Sequence, residues 1–216
     1  MSETPTLPTL EHYRYLASRT GADDAFLTAL KTAAKSAGIP PISVVPEQAS
    51  FMRILLRLRE AKDVLELGTL AGYSAISMAR ALPEDGRVTT VEYEPRHAAF
   101  AREWIAKSDV AGRVAVLEGR GQDVLPGLPD RAFDAVFLDA DKAGYPFYLA
   151  ESRRLLRPRG LVMVDNAFSF GELFAATPRD RETPAVRAVN DLIPTLDWLK
   201  AVIVPFGDGV WVGVTD

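Results

Sequence analysis

The chain of 216 residues contains no cysteine. Disulfides, thiolate nucleophiles and zinc–thiolate centres are excluded together. Histidine is nearly absent: His12 and His97 are the two, both far along the chain from the acidic motifs described below, and both read as surface or structural residues. A basic surplus is lacking too. Lys and Arg number 25 against 29 Asp and Glu, a net charge of −4, which gives no support for a nucleic-acid-binding surface. No apolar stretch approaches the roughly 18 residues of a membrane span. The opening MSETPTLPTL has no basic segment leading into an apolar core, so no signal peptide is expected. The expectation is a soluble cytoplasmic protein with no membrane or nucleic-acid partner. Apolar residues make up 48% of the chain, enough for the core of a single domain.

The organisation reads in two parts. Residues 1–60 form an N-terminal helical extension with a connector, and residues 61–216 form the core of one domain. Residues 1–8 are rich in Pro and Thr and read as loose. Glu11 to Gly38 carries a helical pattern with Leu16, Phe26, Leu27 and Leu30 as apolar contacts and Gly38 as its stop. Residues 39–46 hold three prolines and read as a connector. Pro46 to Glu60 is predicted helical, with proline in the first turn. Strands are expected at 63–67, 87–92, 113–117, 133–139 and 161–165, with helices at 73–82, 95–108 and 146–156 between them. Strands alternating with helices predict a parallel sheet covered on both faces. Near-continuous apolar strands fit that burial. At the end, 200–206 and 210–214 flank Gly207-Asp208-Gly209 and read as an antiparallel hairpin.

Chemistry-bearing residues gather at the predicted strand ends. Phe137-Leu138-Asp139-Ala140-Asp141-Lys142 and Val162-Met163-Val164-Asp165-Asn166 are apolar runs that stop at carboxylates. In an open α/β sheet, ligands collect at the carboxyl ends of strands. Asp139, Asp165 and Asn166 would place three hard oxygen ligands on one rim, with Lys142 beside them. Oxygen donors alone suit Mg²⁺ or Ca²⁺ rather than zinc. Adjacent strand residues point to opposite faces, so Asp165 and Asn166 can share an ion only if the chain turns after Asp165. Otherwise Asn166 merely caps that turn. Taken alone, Lys142 is a solvent-facing lysine paired with Asp139 or Asp141; the two segments together favour a catalytic role.

Glu66-Leu67-Gly68-Thr69-Leu70-Ala71-Gly72-Tyr73-Ser74 joins the first core strand to its helix. Glycine there allows close backbone approach to a ligand. The dinucleotide pattern G-x-G-x-x-G fails at Leu70 and Tyr73, and the phosphate loop ending in Gly-Lys-Ser/Thr is absent. Glu66 would repel a phosphate and suits a cationic or hydroxyl-rich ligand. Glu92, ending the next strand, is spaced to accept hydrogen bonds from ribose hydroxyls. Each carboxylate alone could be a surface or helix-end group; together they point to a nucleoside.

With these motifs in place, the chain resembles the cation-dependent O-methyltransferases that use S-adenosylmethionine, of the caffeoyl-CoA and catechol type, with the bacterial small-molecule branch nearest. The resemblance runs from about Pro40 to the C-terminus. It is carried by ELGTLAGYS, LDADKAGY, LLRPRG, VDN and the GDG of the hairpin. It implies a Rossmann-like class I methyltransferase: a mostly parallel seven-stranded sheet with an antiparallel C-terminal hairpin, helices on both faces and an N-terminal helical extension. It implies S-adenosyl-L-methionine, a divalent cation (Mg²⁺, or Ca²⁺ or Mn²⁺), a small catechol-like acceptor and a homodimer.

By the same resemblance, Glu66 through Ser74, including Gly68 and Thr69, would surround the methionine part of the cofactor, with Val44 closing over it. Glu92 would hold the ribose, Tyr93 would lie on the adenine face, and Gly121 and Gln122 would border its edge. Asp141 would approach the amino group. Asp139, Asp165 and Asn166 would bind the metal, and Lys142 would stand by the acceptor. Three positions depart from the family pattern. Arg120 stands where relatives often carry an acid and is expected to point outward. Arg159 replaces the first glycine of a Pro-Gly-Gly turn. Val44 stands where several relatives have Thr or Ser.

The chemistry accounts for this set. A phenol of pKa about 10 is ionised in only about one molecule per thousand at pH 7, a deficit of roughly 4 kcal/mol. A divalent cation chelating two adjacent oxygens lowers that pKa and fixes the nucleophile, and Lys142 could accept the proton. Phe168, Phe170, Leu173 and Phe174, within 167–183, form either an acceptor pocket or lid, or ordinary core. Three alternatives stand beside this reading: a nicotinamide-dependent oxidoreductase, a non-catalytic cofactor-binding module, and a methyltransferase acting on nitrogen or nucleic acid.

Overall fold

The computed structural model describes residues 8–205 and 207–216. The expectation of looseness over 1–8 therefore lies, except for Pro8, outside the described residues, as does Phe206 in the hairpin. Helices α1 (Leu10–Arg19), α2 (Ala25–Ser36) and α3 (Pro46–Leu58) precede the sheet. Then follow β1 (Asp63–Leu67), α4 (Tyr73–Ala79), β2 (Arg87–Glu92), α5 (Pro95–Ala106), β3 (Val114–Glu118), the short α6 (Gly121–Val124), β4 (Phe133–Leu138), α7 (Tyr145–Leu155), β5 (Leu156–Val164), α8 (Thr183–Leu192), β6 (Leu199–Val204) and β7 (Val210–Thr215). Among the described residues no helix is long and apolar enough to cross a membrane.

The sheet order is β3-β2-β1-β4-β5-β7-β6. β1 to β5 pair in parallel, and β7 runs antiparallel between β5 and β6. The strand order reverses between β1 and β4, the position where an open α/β sheet leaves a crevice for a ligand. Alternation along the strands feeds two cores. Ala135, Phe137 and Met163 pack with α2, α3, α4 and α5, whereas Val136, Leu138, Val162 and Val164 pack with α7 and α8. Both faces are covered, which is why these strands are apolar on both sides.

Three expectations are corrected. The single helical pattern from Glu11 to Gly38 is two helices. Thr20 to Asp23 breaks it, and Asp24 caps α2 by accepting the Leu27 N–H at 2.8 Å. α1 has no buried residue, and Leu16 lies at the surface instead of in the core. Strand β5 begins at Leu156, well before residue 161. Leu156 pairs with Phe133, and the register jumps before Ala135 meets Leu161. Arg159 sits in that bulge with φ +60°, so the departure from Pro-Gly-Gly falls within a strand irregularity. Helix α8 was not anticipated; Val186 and Val189 bury its inner face.

Lateral hydrogen bonds align the strand ends. Gly68 N–H donates to Val91 O at 3.0 Å, Asp139 N–H to Leu67 O at 2.9 Å, and Asp165 N–H to Leu138 O at 2.9 Å. Gly68, Asp139 and Asp165 thus stand in one row along the carboxyl rim.

Candidate active site

A cavity of about 470 Å³ opens above this rim. Gly68, Thr69, Ser74, Glu92, Tyr93, Gly121 and Gln122 line one part of it, and Asp139, Asp141, Lys142 and Asn166 line the other. The segments that follow β1, β2, β3, β4 and β5 all contribute, so the sheet gathers its strand ends around one space.

The cofactor-type wall rests on Glu92. Its Oε2 accepts the backbone N–H of Thr69 at 3.1 Å and of Leu70 at 2.8 Å, and its Oε1 accepts Glu94 N–H at 2.9 Å. Glu92 therefore holds the loop after β1 while still facing the cavity. Charge-assisted bonds of this kind are the stronger class. Tyr93 is largely exposed, and the Arg120 guanidinium lies 4.8 Å from its ring centroid. Arg120, expected to point outward, is exposed, and it also contributes to the cavity wall. His97, read from sequence as remote, also lines the cavity, with Nδ1 3.8 Å from Glu92 Oε1. Val44 is buried in the core, and the connector contributes Ile42 and Ser43 to the wall instead.

Glu66 does not line the cavity. It is wholly buried behind the loop, where its Oε2 accepts the Thr90 hydroxyl at 2.5 Å, while Oε1 has no hydrogen-bond partner among the described residues. Burial pushes its carboxyl up to about 8, with the charges of Asp139 and Glu92 adding to the shift and the hydroxyls of Ser74 and Thr90 opposing it. The folded state holds this proton more tightly than the unfolded chain, where glutamate titrates near pH ~4.3. The associated stability is complete below that lower value and is lost as pH rises through about 8. Between pH ~6 and ~8 the slope approaches about 1 kcal/mol per pH unit. Glu66→Gln, neutral throughout, is expected to lose this slope. Urea unfolding of both proteins at three pH values checks it, and parallel pH dependence would refute it.

At the metal-type wall, Asn166 has φ +63°. The chain does turn after Asp165, in a left-handed conformation that asparagine tolerates. Asp165 and Asn166 are both buried, and Asp139 is more open. Asn166 and Asp139 line the cavity, whereas Asp165 sits behind them with Oδ1 accepting the Gln48 amide at 2.8 Å. Burial first, and then the charge of Asp139, push the Asp165 carboxyl up. Among the described residues no group of three or more His, Cys, Asp or Glu is placed to hold an ion. The donor set here is two carboxylates and one amide. Mutually repelling carboxylates beside an amide oxygen, all hard donors, fit a hard divalent cation that takes few protein ligands.

Lys142 is 4% exposed. Its Nζ donates to Tyr145 Oη at 2.6 Å and lies 3.3 Å from Asp139 Oδ1. Tyr145 in turn donates to Leu138 O at 3.2 Å, and Glu182 Oε1 accepts the Lys142 N–H at 3.0 Å. Burial and the surrounding carboxylates hold the Tyr145 phenol well above its ordinary value, so it stays protonated. Tyr148 Oη donates to Asp141 Oδ1 at 2.6 Å, and its ring fills the space that a Cβ on Gly121 or Gly144 would need. Sequence reasoning missed Tyr145, Tyr148, Glu182 and Gln48. The tyrosines fall three and seven residues after Lys142 and Asp141, a helical spacing that could have found them. Gln48 and Glu182 carry no local signal.

Phe170 lines the cavity with φ +53°, while Phe174 is exposed. Phe168 packs against the α7 and α8 core. The phenylalanines of 167–183 therefore divide between wall, surface and core.

The family model described as O-methyltransferase matches residues 17–214. The catechol O-methyltransferase of Niastella koreensis is 39% identical over 193 residues, covering 88% of this chain and 87% of that protein. An O-methyltransferase from Bacillus cereus, solved in complex with SAH, superposes with a TM-score of 0.86 at 30% identity, covering 94% of this chain and 96% of the other. The O-methyltransferase TomG from Streptomyces achromogenes, involved in tomaymycin synthesis and solved with SAM, gives a TM-score of 0.85 at 31% identity, with 95% and 96% covered.

Proposed function

The chain belongs to the O-methyltransferase family, and from that membership we propose that it moves the methyl group of S-adenosylmethionine to one hydroxyl of a vicinal-dihydroxy aromatic molecule, with a divalent cation held by Asp139, Asp165 and Asn166. The observation that supports this reading is the carboxyl rim on which Gly68, Asp139 and Asp165 stand in one row, with Asn166 and Lys142 lining the same cavity as Gly68, Thr69 and Ser74.

Each residue has a place in the proposal. The backbone of Gly68 and Thr69, together with Ser74 and Asp141, would hold the methionine end of the cofactor. Glu92, already fixed by three N–H donors, would take the ribose. Tyr93, with Arg120 against it, would flank the adenine, and Gly121 and Gln122 would border its edge. A bound Mg²⁺, Mn²⁺ or Ca²⁺ would lower the pKa of a chelated phenol and fix two adjacent oxygens. Lys142 would accept the phenolic proton at Nζ. Tyr145 holds that nitrogen in place, because its own proton is committed to Leu138 O. Holding nucleophile and methyl carbon in line contributes through orientation.

The test is methyl transfer from S-adenosylmethionine to a panel of catechols and monophenols, with Mg²⁺ and with excess chelator. Product is expected on the diols alone, and chelation should lower the rate by at least about a hundredfold. Full activity in chelator would remove the cation from the proposal, and equal activity on monophenols would remove the diol.

A further inference from the structure

Two residues that no functional reading above has used converge on the Asp165–Asn166 pair from opposite ends of the chain. Gln48, in the first turn of α3, is 2% exposed, and its Nε2 donates to Asp165 Oδ1 at 2.8 Å. A polar amide buried in this way is costly unless its partner repays the desolvation. Asp208, at the centre of the hairpin turn between β6 and β7, has Oδ2 3.2 Å from Asn166 Nδ2, and the same oxygen accepts the Phe170 N–H at 2.7 Å. An amide nitrogen turned toward Asp208 leaves the Asn166 carbonyl oxygen free for the cavity side. The two ends also meet each other: a Cβ on Gly207 would stand 3.1 Å from Gln48 Oε1, and one on Gly209 would press on the Phe168 ring at 2.9 Å. The glycines of Gly207-Asp208-Gly209 let the turn close over Gln48 and Phe168 while Asp208 reaches Asn166.

We propose that Gln48 and Asp208 form an outer clamp that sets the orientation of Asp165 and Asn166 for cation binding. Gln48 occupies one carboxylate oxygen of Asp165 and so fixes which oxygen is offered to the ion. Asp208 fixes which end of the Asn166 amide faces it. Both are positioning residues, acting through groups that would touch the cation. The inference rests on the cation site proposed above. Partners that orient metal ligands in this way typically change metal affinity about ten- to a hundredfold when removed.

The test uses the full chain and Mn²⁺ alone as probe, titrated by electron paramagnetic resonance, with S-adenosylhomocysteine affinity measured separately by calorimetry. Gln48→Met and Asp208→Ala are each expected to weaken Mn²⁺ binding at least about tenfold, with S-adenosylhomocysteine affinity held within about twofold of the parent protein's. Asp208→Asn keeps an acceptor oxygen and is expected to recover most of the loss. A merely structural role would move both affinities together. Unchanged Mn²⁺ affinity in either Gln48→Met or Asp208→Ala overturns the clamp. Asp208 lies on a partly exposed turn, so its variants carry the test if the buried Gln48 variant does not fold. Asp165→Ala separates the two levels: if it binds Mn²⁺ as well as the parent protein, the cation site itself fails and the clamp with it. If Asp165→Ala loses Mn²⁺ while the clamp variants do not, the clamp alone is wrong.

Discussion

Lys142→Met is expected to lower kcat by about two to four orders of magnitude, the range for loss of a positioned general base, while cofactor affinity stays within about threefold of the parent value, since proton transfer is not cofactor binding. The side chain is nearly inaccessible and is held at Nζ by Tyr145 at 2.6 Å, with Asp139 at 3.3 Å. Methionine matches its length and removes the nitrogen. Tyr145 keeps its bond to Leu138 O, so the pocket wall is retained. Lys142→Arg separates charge from basicity. Arginine places a permanent positive charge beside Asp139 and has no free lone pair with which to accept a proton, so its loss should approach that of methionine. Single-turnover methyl transfer at saturating cofactor measures both. A methionine variant within about tenfold of the parent rate would show that Lys142 is not the base, and full activity in the arginine variant would assign it an electrostatic role.

Gly68→Ala is expected to be the most destabilising small substitution at the site. A Cβ there would lie 1.9 Å from Asp139 O and 2.7 Å from Asp139 C, and the residue has φ +97°. The backbone conformation alone costs roughly 1–3 kcal/mol. Overpacking against backbone adds a further ~1–3 kcal/mol. A loss of roughly 4 kcal/mol corresponds to about 8–16 °C in Tm for a chain of this size. Relief requires β1 and β4 to part at their carboxyl ends, which also displaces Asp139, so cofactor affinity and activity should fall with stability. Gly112→Ala is the control, because Gly112 has φ +83° but nothing within 4 Å of the added Cβ. It should show the conformational cost alone. Chemical denaturation of both variants decides the matter: similar losses would mean that the Gly68–Asp139 approach does not constrain the rim.

Much of the fold was legible because its signals are local. Val64 to Leu67, interrupted by Glu66, and Ala135 to Leu138 are largely apolar and are ended by glycine or aspartate, so both strands and their ends could be placed. Other features were hidden by competing local signals. Thr20 to Asp23 sits inside a helical spacing of apolar residues, and the break is decided by α2 packing Leu27 and Leu30 into the core while α1 stays outside. Leu156-Arg157-Pro158-Arg159-Gly160 reads as a turn, yet it is strand, because Leu156 finds Phe133 across a register jump. His97 looked remote because sequence distance says nothing about the helix that follows β2. Its place in α5 brings it to the cavity beside Glu92.

The sequence by itself determined the chemistry of the rim: which strands end in Asp139, Asp165 and Asn166, where Lys142 follows, and where glycine lets the chain approach a ligand. These are properties of residue type and short spacing. Only the tertiary structure decided how those groups are held. Asn166 turns through a positive φ, Tyr145 fixes Lys142, Glu92 binds the loop it faces through its oxygens, and Gln48 and Asp208 reach Asp165 and Asn166 from α3 and the terminal turn. A hydrogen bond between residues 117 positions apart has no local signature. It exists because packing α3 and the hairpin onto one sheet brings their ends to the same rim.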